Sequence, residues 1–170
     1  TAADPNVTAG DFTVGPGLTT LGGFSTSGNV FARSTGTFGT TVSFANASTN
    51  DDYFSVTISP NSGYLMNLTS FSFDYGYSAT GSFNTSPNLL RAYITTSDDN
   101  HANFFNGNTD GYTTITGPFT TTGVNYPNSK SLDLSAAAFQ NIGNIEFRIY
   151  LSDSYNGSDL IHRIDNVVLN

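Results

Sequence analysis

Ile145-Glu-Phe-Arg-Ile-Tyr-Leu151 decides the fold, because apolar and polar residues alternate along the whole stretch. Every second residue from Ile145 to Leu151 is aliphatic or phenylalanine, and the residues between them are Glu146, Arg148 and Tyr150. Successive side chains of a β-strand point to opposite faces, so the apolar set enters a core and the other set faces away from it. The stretch therefore predicts a half-buried strand of an antiparallel sheet.

The same two-residue period recurs along the chain, separated by segments rich in Gly, Asn, Asp and Pro. We predict further strands at 29–34, 40–46, 53–58, 68–75, 89–94, 112–115 and 161–169. Pro60-Asn-Ser-Gly63 is interpreted as a turn that joins two strands into a hairpin. Ser135–Gln140 has a short helical pattern with Ser135 as its N-cap, and 15–28 and 100–111 are predicted as long loops.

These patterns together predict an all-β fold. We expect an antiparallel β-sandwich (jelly roll) of about eight to ten strands, because turn signals recur between short alternating segments. No linker and no internal repeat interrupts the pattern, so residues 1–170 are predicted to form a single β-sandwich domain.

The composition excludes several classes of function. Charged residues make up 11% of the chain, whereas globular proteins average about 25%. The net charge is −8 with five Lys and Arg and no basic run, so we expect no nucleic-acid partner. No stretch reaches the roughly 20 apolar residues of a membrane span, so we expect no membrane insertion. With no cysteine, the chain has no disulfide and no thiolate zinc site.

A surface of Gly, Ser, Thr and Asn in place of charged residues is typical of exported bacterial proteins. We therefore expect a secreted or cell-surface, bacterial location. Residues 1–10 lack the basic start and apolar run of a signal peptide, so we interpret the chain as a mature or excised domain. On this interpretation it is part of a larger multidomain protein.

The sequence carries no catalytic set that we recognise. Glu146 is the single glutamate, and the E-x-D-x-x-E pattern of laminarinase-type sandwich hydrolases does not occur. The Gln-x-His and Tyr-x-Lys motifs of sandwich alginate lyases and the G-x-S-x-G elbow of serine hydrolases are also absent. His101 and His162 are interpreted as loop and strand residues with no reactive role. We therefore expect no enzyme, with a carboxylate pair, for instance Asp74 and Glu146, left as the alternative for a hydrolase.

Metal binding is the strongest chemical signal in the chain, and one candidate for it is Asn106-Gly-Asn-Thr-Asp-Gly111. Its oxygen-bearing residues alternate as in the first half of a calcium loop, and they are Asn106, Asn108 and Asp110. The later acid of such a loop is missing, because position 117 is glycine, and Asp98 or Asp99 would have to replace it. The alternative is a plain turn, since Asn, Gly and Asp are the usual turn formers.

Several short segments carry a resemblance to a known class of protein. They are Asp4–Ala9, Tyr53–Gly63, Leu68–Asp74, Leu90–Tyr93, Ile145–Tyr150 and Ile164–Leu169. Together they resemble bacterial extracellular jelly-roll modules that accompany surface-anchored proteins and polysaccharide-degrading enzymes. The closing Ile-Asp-Asn-Val-Val-Leu is similar to the last strand of many galactose-binding-like carbohydrate-binding modules.

The resemblance implies a non-catalytic carbohydrate-binding module whose partner is a polysaccharide or oligosaccharide. It also implies a structural calcium ion as cofactor, with Asp165 of the last strand as a ligand. Asp4 or Asp11 and backbone carbonyls would complete that site and tie both chain ends into the sandwich. Asp51-Asp52 is an alternative metal position.

One predicted surface collects much of the charge and several aromatic rings. If the strands share a sheet, the residues opposite the core are Asp74, Arg91, Tyr93, Glu146, Arg148 and Tyr150, with His162 as a further candidate. Tyrosines stack on sugar rings, and charged groups form strong hydrogen bonds to hydroxyls. Carboxylates on the same face oppose a strongly anionic chain, so we expect neutral or weakly charged sugars.

Three alternatives remain open at this point. The pairs Asp74–Arg91 and Glu146–Arg148 could merely satisfy one another beneath a loop. The chain could be a structural or adhesive domain of a bacterial surface protein with no glycan ligand. It could also be a sandwich-fold polysaccharide lyase or hydrolase.

Overall fold

Two antiparallel sheets form the described part of the molecule, and their apolar faces pack against each other. The computed structural model describes residues 4–21, 30–34, 43–79, 88–102, 105, 113–115, 125–153 and 160–170. Within these residues, sheet A has six strands and sheet B has five. The all-β sandwich predicted from the alternation is confirmed.

The elements follow one another as short strands with little helix. The strands are β1 (Val7–Ala9), β2 (Thr13–Val14), β3 (Leu18–Thr20), β4 (Val30–Ser34), β5 (Tyr53–Pro60), β6 (Ser70–Ala79), β7 (Asn88–Thr96), β8 (Thr113–Ile115), β9 (Asn125–Asp133), β10 (Ile145–Asp153) and β11 (Leu160–Leu169). Helix α1 spans Phe44–Thr49, and 3-10 turns span Ser97–Asp99 and Ala137–Phe139. No helix in the described part of the chain is long and apolar enough to cross a membrane.

The strand order makes this sandwich a jelly roll. Sheet A runs β1-β5-β10-β7-β8, with β2 also paired to β5, and sheet B runs β3-β4-β11-β6-β9. From β4 onward the strands pair in a nested way: β4 with β11, β5 with β10, β6 with β9 and β7 with β8. Nested antiparallel pairs that are divided between two packed sheets constitute the jelly-roll topology.

The core lies between the sheets and consists mainly of phenylalanine and aliphatic side chains. On β10, Ile145, Phe147, Ile149 and Leu151 are at most 3% exposed, as the alternation predicts. Phe147 stacks on Phe71 of β6, with ring centroids 4.5 Å apart and an 11° angle between the planes. Because β6 belongs to sheet B, this stack joins the two sheets directly. Burial of side chains of this size contributes roughly 1.5–3 kcal/mol each.

A helix replaces part of a predicted strand. The alternation predicts a strand over 40–46, but residues from Phe44 onward form α1, and 40–42 lie outside the described residues. Ser43 accepts a hydrogen bond from the Asn46 N–H at 3.2 Å, which is an N-cap interaction. Ala47 is fully buried on the face that α1 presents to sheet A. Capping and tertiary burial therefore override the two-residue period here.

The turn after β5 forms, but it does not make a hairpin. The Tyr64 N–H donates to the Asn61 carbonyl at 3.0 Å, and Gly63 has a φ of 87°, which favours glycine. However, β5 lies in sheet A and β6 in sheet B, so the chain crosses from one sheet to the other. The turn residues are correct, but turn chemistry alone does not choose the partner strand.

Other local predictions are corrected by the structure. The helical pattern at Ser135–Gln140 is a 3-10 turn, and its N-cap position is Ala136 without a side-chain cap. The predicted loop over 15–28 contains β3, although 22–28 lie outside the described residues. The sequence predicts no strand where β9 lies, because its Asn-Tyr-Pro-Asn-Ser-Lys start lacks an apolar period.

Candidate functional site

Sheet A carries a polar outer face on the side away from the core. Strand β10 lies between β5 and β7, so residues of three strands stand side by side in register. The rows are Tyr53–Tyr150–Tyr93, then Ser55–Arg148–Thr95, then Thr57–Glu146. Five of the predicted ligand-binding residues share this face: Arg91, Tyr93, Glu146, Arg148 and Tyr150.

Helix α1 covers the tyrosine row, which we define as Tyr53, Tyr93 and Tyr150. Phe44 of α1 packs against Tyr150 and Tyr93, with ring centroids 5.3 and 5.7 Å away. Tyr93 is 1% exposed and Tyr150 is 3% exposed. The expectation that both rings stack on a sugar does not hold, because α1 occupies the side from which a sugar would approach.

Hydrogen bonds before and after α1 fix the position of its two ends. Before the helix, the Ser43 N–H donates to Ser152 Oγ at 3.3 Å. After the helix, the Gly17 N–H donates to the Asp51 carbonyl at 3.2 Å. A Cβ atom at position 17 would lie 2.0 Å from the Asn50 carbonyl oxygen, so this close approach requires glycine. The tyrosine row is therefore part of the packed structure.

Arg148 occupies the open part of the outer face, next to the tyrosine row. Its guanidinium carbon lies 4.5 Å from the centroid of the Tyr53 ring, and its Nε donates to Glu146 Oε1 at 2.9 Å. It also hydrogen-bonds to the Tyr150 side chain. An arginine has five N–H donors, and the Arg148 side chain is 27% exposed. Donors therefore remain for a ligand, on a guanidinium whose plane is fixed by the ring beneath it.

His101 approaches the same carboxylate from the loop that follows the 3-10 turn Ser97–Asp99. Its Nδ1 lies 2.8 Å from Thr95 Oγ1, and its Nε2 lies 3.4 Å from Glu146 Oε2. A left-handed backbone with φ 59° aims the ring at the sheet. Sequence reasoning gave His101 no role, since a loop residue has no period that predicts its direction. We call His101, Glu146 and Arg148 the ionic patch.

The groups of the ionic patch shift one another's pKa values. Burial acts to raise the pKa of Glu146, but Arg148 and His101 outweigh burial and hold it below its ordinary value. Burial and the Arg148 charge lower the pKa of His101 against the opposing effect of Glu146. Burial acts to lower the pKa of Arg148, but the hydrogen bonds to Glu146 and Tyr150 outweigh burial and raise the pKa above its ordinary value. At neutral pH the patch therefore holds one cation, one anion and one neutral imidazole.

This arrangement offers strong hydrogen bonds without a net charge. Arg148 supplies donors, the Glu146 carboxylate supplies acceptor lone pairs, and the exposed Thr57 beside it can do both. Hydrogen bonds to ionised groups are shorter and about twice as strong as neutral ones. The patch is chemically suited to an uncharged ligand with many hydroxyl groups.

Asp74 lies on the other sheet and does not join this face. On sheet B, Asn166 Nδ2 donates to Asp74 Oδ2 at 2.7 Å and Ser129 Oγ donates to Oδ1 at 2.5 Å. These two hydrogen bonds lower the pKa of Asp74. Arg91 stays on sheet A, with its guanidinium carbon 5.8 Å from the Tyr93 ring centroid. The predicted Asp74–Arg91 pair is therefore wrong, because alternation assigns a residue to a face but not a strand to a sheet.

An open pocket of about 360 Å³ lies beside Asp74 on sheet B, with Ser129, Lys130 and Asn166 in its lining. Asp165 is the direct cross-strand partner of Asp74. Like charges directly opposite each other are destabilising. The neutral donors that hold Asp74 offset part of that repulsion.

His162 lies on the inner face of β11. Its cross-strand partner is Ala32, a core residue, and Ile164 two positions along belongs to the same core. His162 is 0% exposed. The expectation that it contacts a ligand on the sheet surface does not hold, because its side chain points between the two sheets.

The predicted calcium ligands do not gather their side chains into one group. Asp4 and Asp11 flank β1 of sheet A, whereas Asp165 lies on β11 of sheet B. Asp4 Oδ1 accepts from the Asn6 N–H and Asp165 Oδ1 from the Asn166 N–H, each at 2.8 Å. Over the residues that the structure describes, no three His, Asp or Glu side chains are placed to hold a metal.

The loop of Asn106, Asn108 and Asp110 lies outside the described residues. The calcium ion stays a prediction. Comparison with known proteins assigns the chain to no family. No protein-family model matches it, and no curated protein matches it either.

Proposed function

We propose that this chain is a non-catalytic carbohydrate-binding module of an exported bacterial protein. It binds neutral or weakly charged polysaccharide on the outer face of sheet A, at the ionic patch. The observation that carries the proposal is the contact of Arg148 with Glu146, part-exposed and oriented by the Tyr53 ring. A fixed donor and a fixed acceptor side by side match the hydroxyl groups of a sugar.

Rigidity supports a binding role for the patch. Glu146 is fixed at both carboxylate oxygens, and Ser97 Oγ accepts from its backbone N–H at 2.9 Å. A preorganised set of polar groups loses little conformational freedom when a ligand binds, so more of each hydrogen bond appears as affinity. The exposed hydroxyl of Thr57 extends the same surface chemistry beside Glu146, whereas Ser55 and Thr95 on the same face are buried.

The protonation state of the patch favours binding over acid–base catalysis. A glycosidase acid needs a carboxyl group whose pKa is raised, and the pKa of Glu146 is lowered. A general base needs a free ring nitrogen, and both nitrogens of His101 already face Thr95 and Glu146. These features support a non-catalytic module over a lyase or hydrolase.

The first test compares two arginines in similar surroundings. Arg148→Ala should reduce retention of the protein on neutral polysaccharides, such as xylan and mixed-linkage glucan, at least about tenfold, since donors to a fixed ligand are lost. Arg163→Ala is the matched control, because its guanidinium carbon lies 4.7 Å from the Phe31 ring centroid on the outer face of sheet B. Affinity electrophoresis measures both variants, with circular dichroism to verify folding.

Three results would contradict the proposal. The first is equal retention of the two variants, and the second is no retention of the unaltered protein by any polysaccharide. The third is release of unsaturated or reducing sugars on incubation, which would identify an enzyme. The burial of Tyr93 and Tyr150 favours the alternative of a structural or adhesive surface domain, because it removes from solvent two rings that could stack on a sugar.

A further inference from the structure

The single glutamate of the chain stands between two groups that can carry positive charge. Glu146 Oε1 lies 2.9 Å from Arg148 Nε, and Glu146 Oε2 lies 3.4 Å from His101 Nε2. The Glu146 side chain is 28% exposed, so its charge also acts on any molecule bound at the patch. Glu146 on β10 therefore both contacts Arg148 and His101 and presents its charge to a bound molecule.

An arginine beside a sugar-binding surface would normally favour acidic sugars. A guanidinium binds carboxylates and sulfates through two parallel N–H donors. On this face, Glu146 already occupies the Nε of Arg148 with a carboxylate of its own. A uronate or sulfate that approaches the remaining donors meets the negative charge of Glu146 at close range.

We propose that Glu146 determines specificity by excluding acidic polysaccharides from the ionic patch. The inference rests on the proposed function and names its substrate class: uncharged polysaccharides are accepted, while polyuronates and sulfated chains are rejected. Arg148 then acts as a hydrogen-bond donor to hydroxyl groups, because its charge is matched within the protein.

Glu146→Gln is the variant that tests this exclusion. Glutamine has nearly the same shape, and its carbonyl oxygen can still accept from Arg148 Nε. The substitution leaves the Arg148 charge unmatched and removes the repulsion of an incoming carboxylate. We expect affinity for polygalacturonate and alginate to rise at least about tenfold at low salt, and the gain to shrink as salt screens the charges.

Asp74→Asn is the matched control for net charge. It changes the total charge of the protein by the same amount, but Asp74 lies on sheet B. Glu146→Ala is a second variant, in case Glu146→Gln does not fold. Affinity electrophoresis in gels with polygalacturonate, alginate or neutral polysaccharide measures all four proteins, and melting curves verify that each is folded.

The outcomes separate the inference from the proposed function. A gain for polyuronate in the Glu146 variants alone, whatever those variants lose in binding to neutral polysaccharide, supports the inference. Neutral binding by the unaltered protein without any polyuronate gain in the Glu146 variants overturns the inference only. An equal gain in Asp74→Asn also overturns it, because net charge would then explain the effect. No retention of any of the proteins by any polysaccharide overturns the proposed function as well.

Discussion

The outer faces of the two sheets place their carboxylates in opposite surroundings. On sheet A, Glu146 contacts Arg148 and His101, so its charge is matched by neighbouring side chains. On sheet B, Asp74 stands opposite another carboxylate, Asp165, and neutral groups of Ser129 and Asn166 hydrogen-bond to it. Both environments lower the pKa of the carboxyl group. The same direction of shift therefore arises from ion pairing on one face and from neutral hydrogen bonds on the other.

The largest expected effect tests whether the tyrosine row belongs to the structure or to the binding surface. Tyr150→Ala should lower the free energy of unfolding by about 3–5 kcal/mol, because a nearly fully buried aromatic ring is removed. That loss corresponds to a fall in melting temperature of roughly 6–20 °C for a protein of this size. Urea unfolding and thermal melts measure both quantities.

Tyr64→Ala is the control, since Tyr64 is 54% exposed and should change stability by less than about 0.5 kcal/mol. If Tyr150→Ala instead abolished polysaccharide retention at unchanged stability, α1 would not cover the tyrosine row in solution. The outer face of sheet A would then be an open aromatic platform and not a face covered by α1.

A pH titration tests the interaction of His101 with Arg148 and Glu146 on the outer face of sheet A. The folded state holds the pKa of His101 below its ordinary value of 6.5, so between that folded pKa and 6.5 the unfolded chain binds more protons. The part of the free energy of unfolding that depends on this lowered pKa is therefore fully present above pH 6.5. It is lost as the pH falls through the folded pKa. His101→Gln should remove this part of the acid-side slope in urea unfolding curves. An unchanged slope would show that His101 does not titrate against Arg148 and Glu146.

The smallest expected effect concerns the like charges of sheet B. Asp165→Asn should raise the free energy of unfolding in the presence of a chelator by about 0.2–1 kcal/mol, because it removes a like-charge cross-strand pair. The amide oxygen can still accept the bond that the Asn166 N–H makes to Asp165 Oδ1. Asp133→Asn is the comparison variant, because Asp133 is an exposed aspartate at the end of β9.

Added calcium sharpens the same measurement. If Asp165 binds calcium as the resemblance implies, calcium at a hundredfold excess over Kd should stabilise the unaltered protein by about 2.7 kcal/mol. Asp165→Asn should lose that response. Identical melting curves with calcium and with chelator would reject the calcium prediction and leave the repulsion between Asp74 and Asp165 uncompensated by metal.

The fold was largely predictable because a two-residue period reports burial directly. The stretch Ile145–Leu151 predicts which side chains enter the core, and the structure agrees at each of them. The pairing of Glu146 with Arg148 was also foreseeable, since residues two apart on a strand share a face. These features depend on local geometry, which residues close together in the sequence determine.

The rest of the site depends on contacts between distant parts of the chain. Alternation places Tyr150 on the outer face, but only the packing of α1 decides that this position is buried. Alternation likewise cannot tell that Asp74 belongs to the opposite sheet. His101 reaches Glu146 through a left-handed loop, for which the sequence offers no periodic signal. The sequence therefore predicts which face of a strand a residue lies on better than it predicts which distant residues contact it.

The position of β11 has a consequence for the order of folding. This last strand lies in the middle of sheet B, between β4 and β6, and the partner residues of β4 lie far earlier in the chain. Such non-local pairing is slow, because a large loop must close, at a cost in entropy, before any stabilising contact forms. During synthesis, β4 and β6 have no central strand to pair with until β11 leaves the ribosome. Sheet B is therefore completed only after β11 has been translated, and until then the edges of β4 and β6 lack their native partner.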